Sequence, residues 1–336
     1  MKNGSNLSVC IPNYNHARYL TGVLESVLSQ RVVPEEVIIV DDASTDNSRE
    51  VIESFSKGRN QIRLLQNEKN RGCLYSVNRG LSEARGKYFY ALAADDLVLP
   101  GFFEKTLQSL EESPRAGMAA TSMKFIDKNG ADIPLAALPS FHSHESHVNI
   151  RMPMYLSRDR VLQRLERQPW FLGGVVNVMF KTAECQEAGG LRPELGLLAD
   201  WFCAHYVALK CGMCYIPEPL VAFRILAKSY GASYVADLER SMESHSRALT
   251  LMESRHDIFP SGFIARKRRE FTYAVFRGIF VGWRESFVGE LNASVPPRTP
   301  KDRLLLKLLR LLSIGQQFML RKYCLGNIAE KLRGTN

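Results

Sequence analysis

The first hundred residues predict an α/β fold with a doubly wound, mostly parallel central sheet, and three features carry that prediction. Strand-like runs at Leu7–Ile11, Val37–Val40, Ile62–Leu65 and Tyr88–Ala93 alternate with segments of helical period. Val37–Val40 (VIIV) and Tyr88–Ala93 (YFYALA) are apolar on both faces, as central strands of a covered sheet are. Two of the runs lead into adjacent aspartates, Asp41-Asp42 and Asp95-Asp96. In a parallel sheet both pairs share the carboxyl edge, where open α/β sheets bind ligands.

Each element has a local reason. Leu7–Ile11 runs into a turn at Pro12-Asn13-Tyr14-Asn15. Leu20, Val23, Leu24, Val27 and Leu28 recur at i, i+3, i+4, i+7 and i+8, one face of a helix. After Asp42, the run Ala43-Ser44-Thr45-Asp46-Asn47-Ser48 supplies caps for a helix carrying Val51, Ile52 and Phe55. Asn67–Gly72 reads as a loop, and Leu74–Ala84 as a helix with Gly86 as its C-cap. Pro100–Ser113 is the next helix and Met118–Ile126 the next strand, with Asn129-Gly130 marking a tight hairpin. From about Pro134 to Arg160 periodicity is weak, which reads as a long loop or insertion. Trp170–Phe180 is apolar, and Gly173-Gly174 within it permits close backbone approach. Thr182–Ala188 reads as a short helix closed by Gly189-Gly190. A further helix starts at Asp200 and reaches Lys210, and Leu220–Ile225 reads as a last, edge strand.

The carboxylates invite chemistry. Side-by-side Asp95 and Asp96 repel unless a cation or hydrogen-bond donors offset their charge. A hard divalent ion carrying a diphosphate does this; so, more plainly, does an acidic N-cap for the helix at Pro100. Recurrence of the pair at Asp41-Asp42 favours a polar ligand with a cation. Asp200 is a lone acid in the apolar run Leu197-Leu198-Ala199-Asp200-Trp201-Phe202. Burial there would raise its pKa toward that of a general base. A carboxylate favoured by a helix N-terminus is the alternative.

Length, charge and cysteines bound the rest. The 336 residues are 45% hydrophobic and 24% charged, enough for a large folded core. A net charge of +9 favours anionic partners. No nucleic-acid-binding motif and no basic–aromatic interleaving accompanies it, which argues against nucleic acid. Seven cysteines, mostly in apolar runs, suit a reducing compartment. Cys211-Gly212-Met213-Cys214 reads as a structural thiol pair, with a metal half-site as the alternative. His142, His144, Glu145 and His147 are a possible transition-metal set, but they lack a helical ligand spacing and read as a polar loop. The opening residues have no apolar core long enough for a secretory signal, and no run of about 18 apolar residues occurs, so no membrane span is expected. From about Asp237 the chain reads as helical and increasingly basic, with clusters at Arg266-Lys267-Arg268-Arg269 and at Arg303, Lys307 and Arg310. The latter three, on a leucine-rich helix, fit an interfacial helix on anionic lipid or a core-packed helix with a basic stripe.

Taken together, SVCIPNYNHARYLTGVLESVLSQ, EVIIVDDASTDNS, NEKNRGCLYSVNRGLSEARGKYFYALAADDLVLP and GGLRPELGLLADWF resemble the family-two inverting glycosyltransferases of the GT-A fold. The resemblance covers roughly residues 5–225. It implies a GT-A catalytic domain at 1–225 and a basic, helical C-terminal region at 226–336. It implies that Pro12 and Tyr14 contact the nucleotide base, that Asp42, with Asp41, binds base or ribose, and that Arg71, Gly72 and Asn78 line the nucleotide-sugar pocket. Asp95 would lie near the ribose, Asp96 would ligate Mn²⁺ or Mg²⁺, and Asp200 would be the catalytic base. Two positions depart from the family pattern: Ala93 stands where an aspartate is common, and Ala199 where a glutamate precedes the base. The implied activity is sugar transfer from a nucleotide-diphosphate sugar, a UDP-sugar first, to a saccharide or lipid-linked acceptor in bacterial surface polysaccharide synthesis. The implied setting is cytoplasmic, at the inner face of the membrane. A catalytically weak nucleotide- or glycan-binding subunit is the alternative that Ala93 and Ala199 motivate.

Overall fold

The computed structural model of the chain describes residues 5–137, 150–167, 172, 174–226 and 238–271. The chain divides into two units, Met1–Ala232 and Ser233–Asn336. The first unit opens with β1 (Leu7–Asn13), α1 (Ala17–Leu28), β2 (Glu36–Asp41), α2 (Ser48–Ser56), β3 (Ile62–Gln66), α3 (Cys73–Glu83) and β4 (Tyr88–Ala91). It continues with β5 (Leu97–Val98), α4 (Phe102–Glu112), β6 (Met118–Ile126), β7 (Asp132–Ile133), β8 (Met154–Leu156) and α5 (Arg158–Arg167). Then come β9 (Val178–Lys181), α6 (Thr182–Glu187), α7 (Ala199–Cys211) and β10 (Met213–Arg224). The ten strands form one sheet, in the order β3-β2-β1-β4-β9-β6-β10-β5, with β7 beside β6 and β8 beside β10.

β3, β2, β1 and β4 are parallel, so Gln66, Asp41, Asn13 and Ala91 all end on one edge. Beyond β4 the sheet is mixed. β9 runs antiparallel to both β4 and β6, while β10 runs parallel to β6. Alternation along β1 explains the two covered faces. Val9 and Ile11 join a core with Leu20, Val23, Leu24 and Val27 of α1 and Phe102 and Phe103 of α4. Cys10 points the other way, against α3; a Cβ added at Gly80 would sit 2.2 Å from its Sγ. That close approach sets α3, and the loop before it, over the carboxyl ends of β1 and β2.

The structure revises several expectations. Gly86 is not a left-handed C-cap: α3 ends at Ala84, and Gly86 is absent from the positive-φ positions. Its glycine is required by packing, because a Cβ there would lie 2.6 Å from the Asn6 carbonyl oxygen. Leu220–Ile225 is not an edge strand. It is the last part of the twelve-residue β10, paired with β6 along its length and with β5 on its other side. Pro219 falls at a register shift against β6, where its missing N–H is tolerated. The stretch read as a long loop contains β8 and runs into the first turn of α5; Val161 and Leu165 are the buried residues of α5, and too few apolar positions mark the helix for periodicity to show it. Of the described part of Trp170–Phe180, only the end enters a strand, β9. Cys211 and Cys214 lie on α7 and β10 and are both free; the neighbouring thiols are instead Cys185 and Cys203, with Sγ atoms 3.7 Å apart.

The second unit contains α8 (Leu238–Glu253) and a helix at 261–271. The Arg266–Arg269 cluster does not form a single exposed basic face: Lys267 is buried and pairs with Glu270 at 2.8 Å, and Arg268 pairs with Glu253. Arg303, Lys307, Arg310 and the His142–His147 group lie outside the described residues. Among the described residues no helix is long and apolar enough to cross a membrane.

At the amino-terminal edge of the sheet a carboxylate locks the fold. Glu36 accepts hydrogen bonds from Ser8 Oγ, the Arg85 N–H and Arg63 Nη1, each at 2.7 Å. Burial pushes the Glu36 carboxyl up, yet these donors outweigh it and hold the pKa below the ordinary value. Its contribution is therefore present above the unfolded carboxylate pKa and fades as pH falls through the lowered one. Glu36→Gln should cost about 1–3 kcal/mol at neutral pH. Denaturant melts should show the gap to wild type closing in acid; an unchanged midpoint at neutral pH would contradict the lock.

Candidate active site

Two loops interlock above the parallel strand ends. Asn13 Nδ2 donates to Asp41 Oδ1 and to Ser44 Oγ, both at 3.1 Å. Asn15 Oδ1 accepts from the Thr45 N–H at 2.7 Å, and Asp46 Oδ2 accepts from the Ala17 N–H at the start of α1 at 3.0 Å. Asn15 and Ala43 both have positive φ, 55° and 61°. Asparagine tolerates that conformation, whereas an alanine there stores about 1–2 kcal/mol of strain that the surrounding bonds hold in place. Asp42 anchors the third loop. Its Oδ1 accepts from Asn67 Nδ2 at 2.6 Å and the Arg71 N–H at 2.9 Å, and its Oδ2 from the Gly72 N–H at 2.7 Å. Gly72 has φ of 89°, which favours glycine at this helix entry.

The other nucleotide-side candidates separate into two groups. Pro12 is half-buried in β1, and Tyr14 is 42% exposed just beyond it. Arg71 lays its guanidinium 3.9 Å over the Tyr75 ring and donates to the Tyr75 hydroxyl at 3.1 Å. These reach solvent beside the loops. Asn78, half-buried, is taken up by the protein: its amide accepts from the Leu191 N–H and donates to the Leu191 carbonyl, each at 2.8 Å, stapling α3 to the segment before α7.

The acidic pair after β4 is organised by Arg224, at the end of β10. The Arg224 N–H donates to Asp96 Oδ1 at 2.7 Å, its Nε to the Asp95 carbonyl at 2.7 Å and its Nη1 to the Asp127 carbonyl at 2.8 Å. The guanidinium also covers the Tyr19 ring of α1, 4.7 Å from its centroid. Burial, then the charge of Asp95, pushes the Asp96 carboxyl well above the carboxylate range, against the pull of Arg224. Asp95 is likewise raised by burial, with His16 and Arg224 pulling it down. His16 precedes α1, so the acidic pair faces the loop that follows β1.

Asp200 sits in the first turn of α7, where its Oδ1 accepts from the Trp201 N–H at 2.7 Å. Burial raises its pKa to about 6, and the two backbone donors there offset only part of that rise. A Cβ at Gly174 would stand 2.8 Å from Asp200 Oδ2. The segment after Gly174 is held by Tyr90, whose hydroxyl donates to the Val176 carbonyl at 2.7 Å. Cys73, first residue of α3, connects this acid to the nucleotide side. Desolvation first, then the charge of Asp200 and more weakly that of Asp42, raises its thiol to about 11. The start of α3 is therefore within electrostatic reach of both Asp42 and Asp200, as His16 of the β1 loop is of Asp95.

The acidic pair suits a hard cation. Asp96 Oδ2 takes no hydrogen bond among the described residues, and both carboxylates are desolvated beside a single arginine. Among the described residues no three His, Cys, Asp or Glu side chains group into a cage. That donor set fits an ion shared with a ligand's phosphate oxygens.

Residues 8–164 match the model of glycosyl transferase family 2. The matched stretch, just under half of the chain, is similar to that family. Glycosyltransferase GlyG of Streptococcus pneumoniae is 37% identical over 106 residues, 32% of this chain and 35% of that protein. The putative teichuronic acid biosynthesis glycosyltransferase TuaG of Bacillus subtilis is 35% identical over 106 residues, 32% of this chain and 42% of its own. The chain thus spans well under half the length of these two relatives. Among solved structures, S. aureus TarS 1–349 in complex with UDP-GlcNAc superposes with a TM-score of 0.63 at 17% identity, covering 81% of this chain and 72% of that one. The mannosyltransferase PcManGT of Pyrobaculum calidifontis, in complex with GDP-Man and Mn²⁺, gives 0.54 at 15% identity, covering 92% and 80%. The shared fold is GT-A, the fold that the motifs implied.

In the sequence, Arg224 stands in Ala222-Phe223-Arg224-Ile225-Leu226, which resembles the family's arginine-containing edge strand; its contacts with residues 128 and 129 positions away are reported by no local pattern. Gly174 was visible as one of a glycine pair, without its partner.

Two expectations follow for Asp200. Its folded pKa lies above the ordinary 3.8, so the ionised form weakens the fold as pH rises through about 6. Asp200→Asn should accordingly raise stability at neutral pH by about 1–3 kcal/mol and give no gain in acid; equal stability in melts at neutral pH would contradict a desolvated acid. Gly174→Ala should push against Asp200 Oδ2 and lower turnover about tenfold or more, as a small misplacement at a reacting group does. Calorimetry with the bare nucleotide should show unchanged affinity, and a loss of affinity equal to the loss of turnover would assign Gly174 to the donor side instead.

Proposed function

We propose that the protein is an inverting glycosyltransferase that moves a sugar from a nucleotide-diphosphate donor, a UDP-sugar first, to a saccharide or lipid-linked acceptor. The observation that carries this reading is the desolvated Asp200, raised to about 6 and electrostatically linked through Cys73 to the Asp42 loop. A carboxylate of that pKa is ionised at neutral pH and still basic enough to take a proton from an acceptor hydroxyl as its oxygen attacks. Attack from the face opposite the departing diphosphate forms the new C–O bond as the old one breaks, which inverts the anomeric centre without a second carboxylate. On this reading Pro12, Tyr14 and Arg71 contact the nucleotide, and Asp41 and Asp42 act chiefly by holding the loops that surround it. Asp95 faces the ribose side. Asp96 would hold Mn²⁺ or Mg²⁺ together with diphosphate oxygens, and the bound ion would neutralise charge on the leaving group. Arg224 keeps that carboxylate in place from behind. The likeness to TuaG, a putative teichuronic acid biosynthesis glycosyltransferase, supports a role in bacterial surface polysaccharide synthesis.

The test is nucleotide release from a panel of UDP-, GDP- and dTDP-sugars with candidate acceptors and Mn²⁺. Wild type should turn over one donor, with activity falling below about pH 6 as Asp200 protonates. Asp200→Asn should lower the rate by a factor of about 10²–10⁴ at unchanged donor affinity, and Asp96→Asn should abolish the metal response. Metal-dependent nucleotide binding without turnover on any acceptor would favour a binding subunit, the reading that Ala93 and Ala199 motivate.

A further inference from the structure

Helix α5 carries a charged face that the catalytic reading does not use. Val161 and Leu165 are its buried residues, and the helix packs on β8 and on α7, the helix of Asp200. Arg160, Arg164 and Arg167 recur at i, i+4 and i+7 and so line one face, turned away from the buried pair. Asp159 and Glu166 fall on another flank. The three arginines make no ion pair or hydrogen bond among the described residues. Several other surface cations of this unit are paired. Arg31 pairs with Glu104, Lys105 with Glu218, Lys124 with Asp132, and Lys210 with Glu184 and Glu187. Shortly before the helix, Arg151 is exposed, and Met152 is 74% exposed, the most exposed large apolar side chain among the described residues.

We propose that the Arg160–Arg164–Arg167 face is a docking surface for a membrane rich in anionic phospholipid, with Met152 as an apolar contact nearby. Charge complementarity is the argument. Three guanidiniums in a row, without ion-pair partners among the described residues, match a plane of phosphate headgroups, since each offers a forked donor and keeps its charge. A dipole or single anion would need only one of them. The exposed methionine adds apolar area of the kind that enters an interface. The surface belongs to the catalytic unit and is independent of the leucine-rich segment near Arg303. It also does not depend on sugar transfer, so its failure and that of the enzymatic reading are distinguishable.

The experiment is sedimentation of the full chain with phosphatidylcholine vesicles containing phosphatidylglycerol, and with phosphatidylcholine alone. Binding should require the anionic lipid and weaken as salt is raised. The variant Arg160→Gln/Arg164→Gln/Arg167→Gln should partition about a hundredfold more weakly, at about 1 kcal/mol per arginine. Replacement of the same three by lysine should retain most binding. Should the triple variant not fold by circular dichroism, Arg160→Gln alone should lose about fivefold. Wild-type partition by the glutamine variant, or equal binding to both vesicles, overturns the proposal. So does arginine-dependent retention of a single-stranded oligonucleotide with no vesicle binding, which would make the face one for nucleic acid.

Discussion

The bond from the Arg224 N–H to Asp96 is the contact on which the site depends. A sheet covered on both faces delivers Asp95 and Asp96 to a place with little water, where two carboxylates repel and resist ionisation. Arg224 offsets this from three directions, through its own backbone donor, its charge and its grip on the Asp95 carbonyl. Because Arg224 ends β10, the pairing of β10 with β6 and β5 becomes the support of the acidic motif. The other oxygen of Asp96 takes no hydrogen bond among the described residues.

The same economy of buried polar groups recurs around the edge. Asp42 fixes Asn67, Arg71 and Gly72, Asn13 fixes Asp41 and Ser44, and Asn78 ties α3 to Leu191. Most of the carboxylates along this edge therefore serve as scaffold as well as chemistry. Asp200 differs: among the described residues its donors are local backbone amides, which offset only part of the rise that burial causes.

Much of the fold was legible because its determinants are local. The run VIIV can only be an interior strand, and the leucine and valine spacing of α1 marks its buried face, as the structure bears out. What escaped had non-local causes. Gly86 looked like a cap because a glycine followed a helix; its reason is the backbone of residue 6. Leu220–Ile225 looked like an edge because prolines precede it, yet a register shift absorbs Pro219 within a central strand. α5 was hidden because arginines outnumber its apolar residues. In the site, motif order revealed the acids, whereas the contacts that tune them, from Arg224, Tyr19, His16 and Gly174, join segments far apart in the chain.

The central claim is that the Asp42 loop, the start of α3, the Asp95-Asp96 turn and Asp200 border one cleft. Cys73 reports on it directly, being an exposed thiol that feels both Asp42 and Asp200. The decisive measurement is the rate of Cys73 alkylation, followed by mass spectrometry, with and without a nucleotide-sugar and Mn²⁺. The account predicts slowing of tenfold or more by the two together, lost in Asp96→Asn. Alkylation at one unchanged rate, under conditions where the nucleotide-sugar is bound, would contradict it.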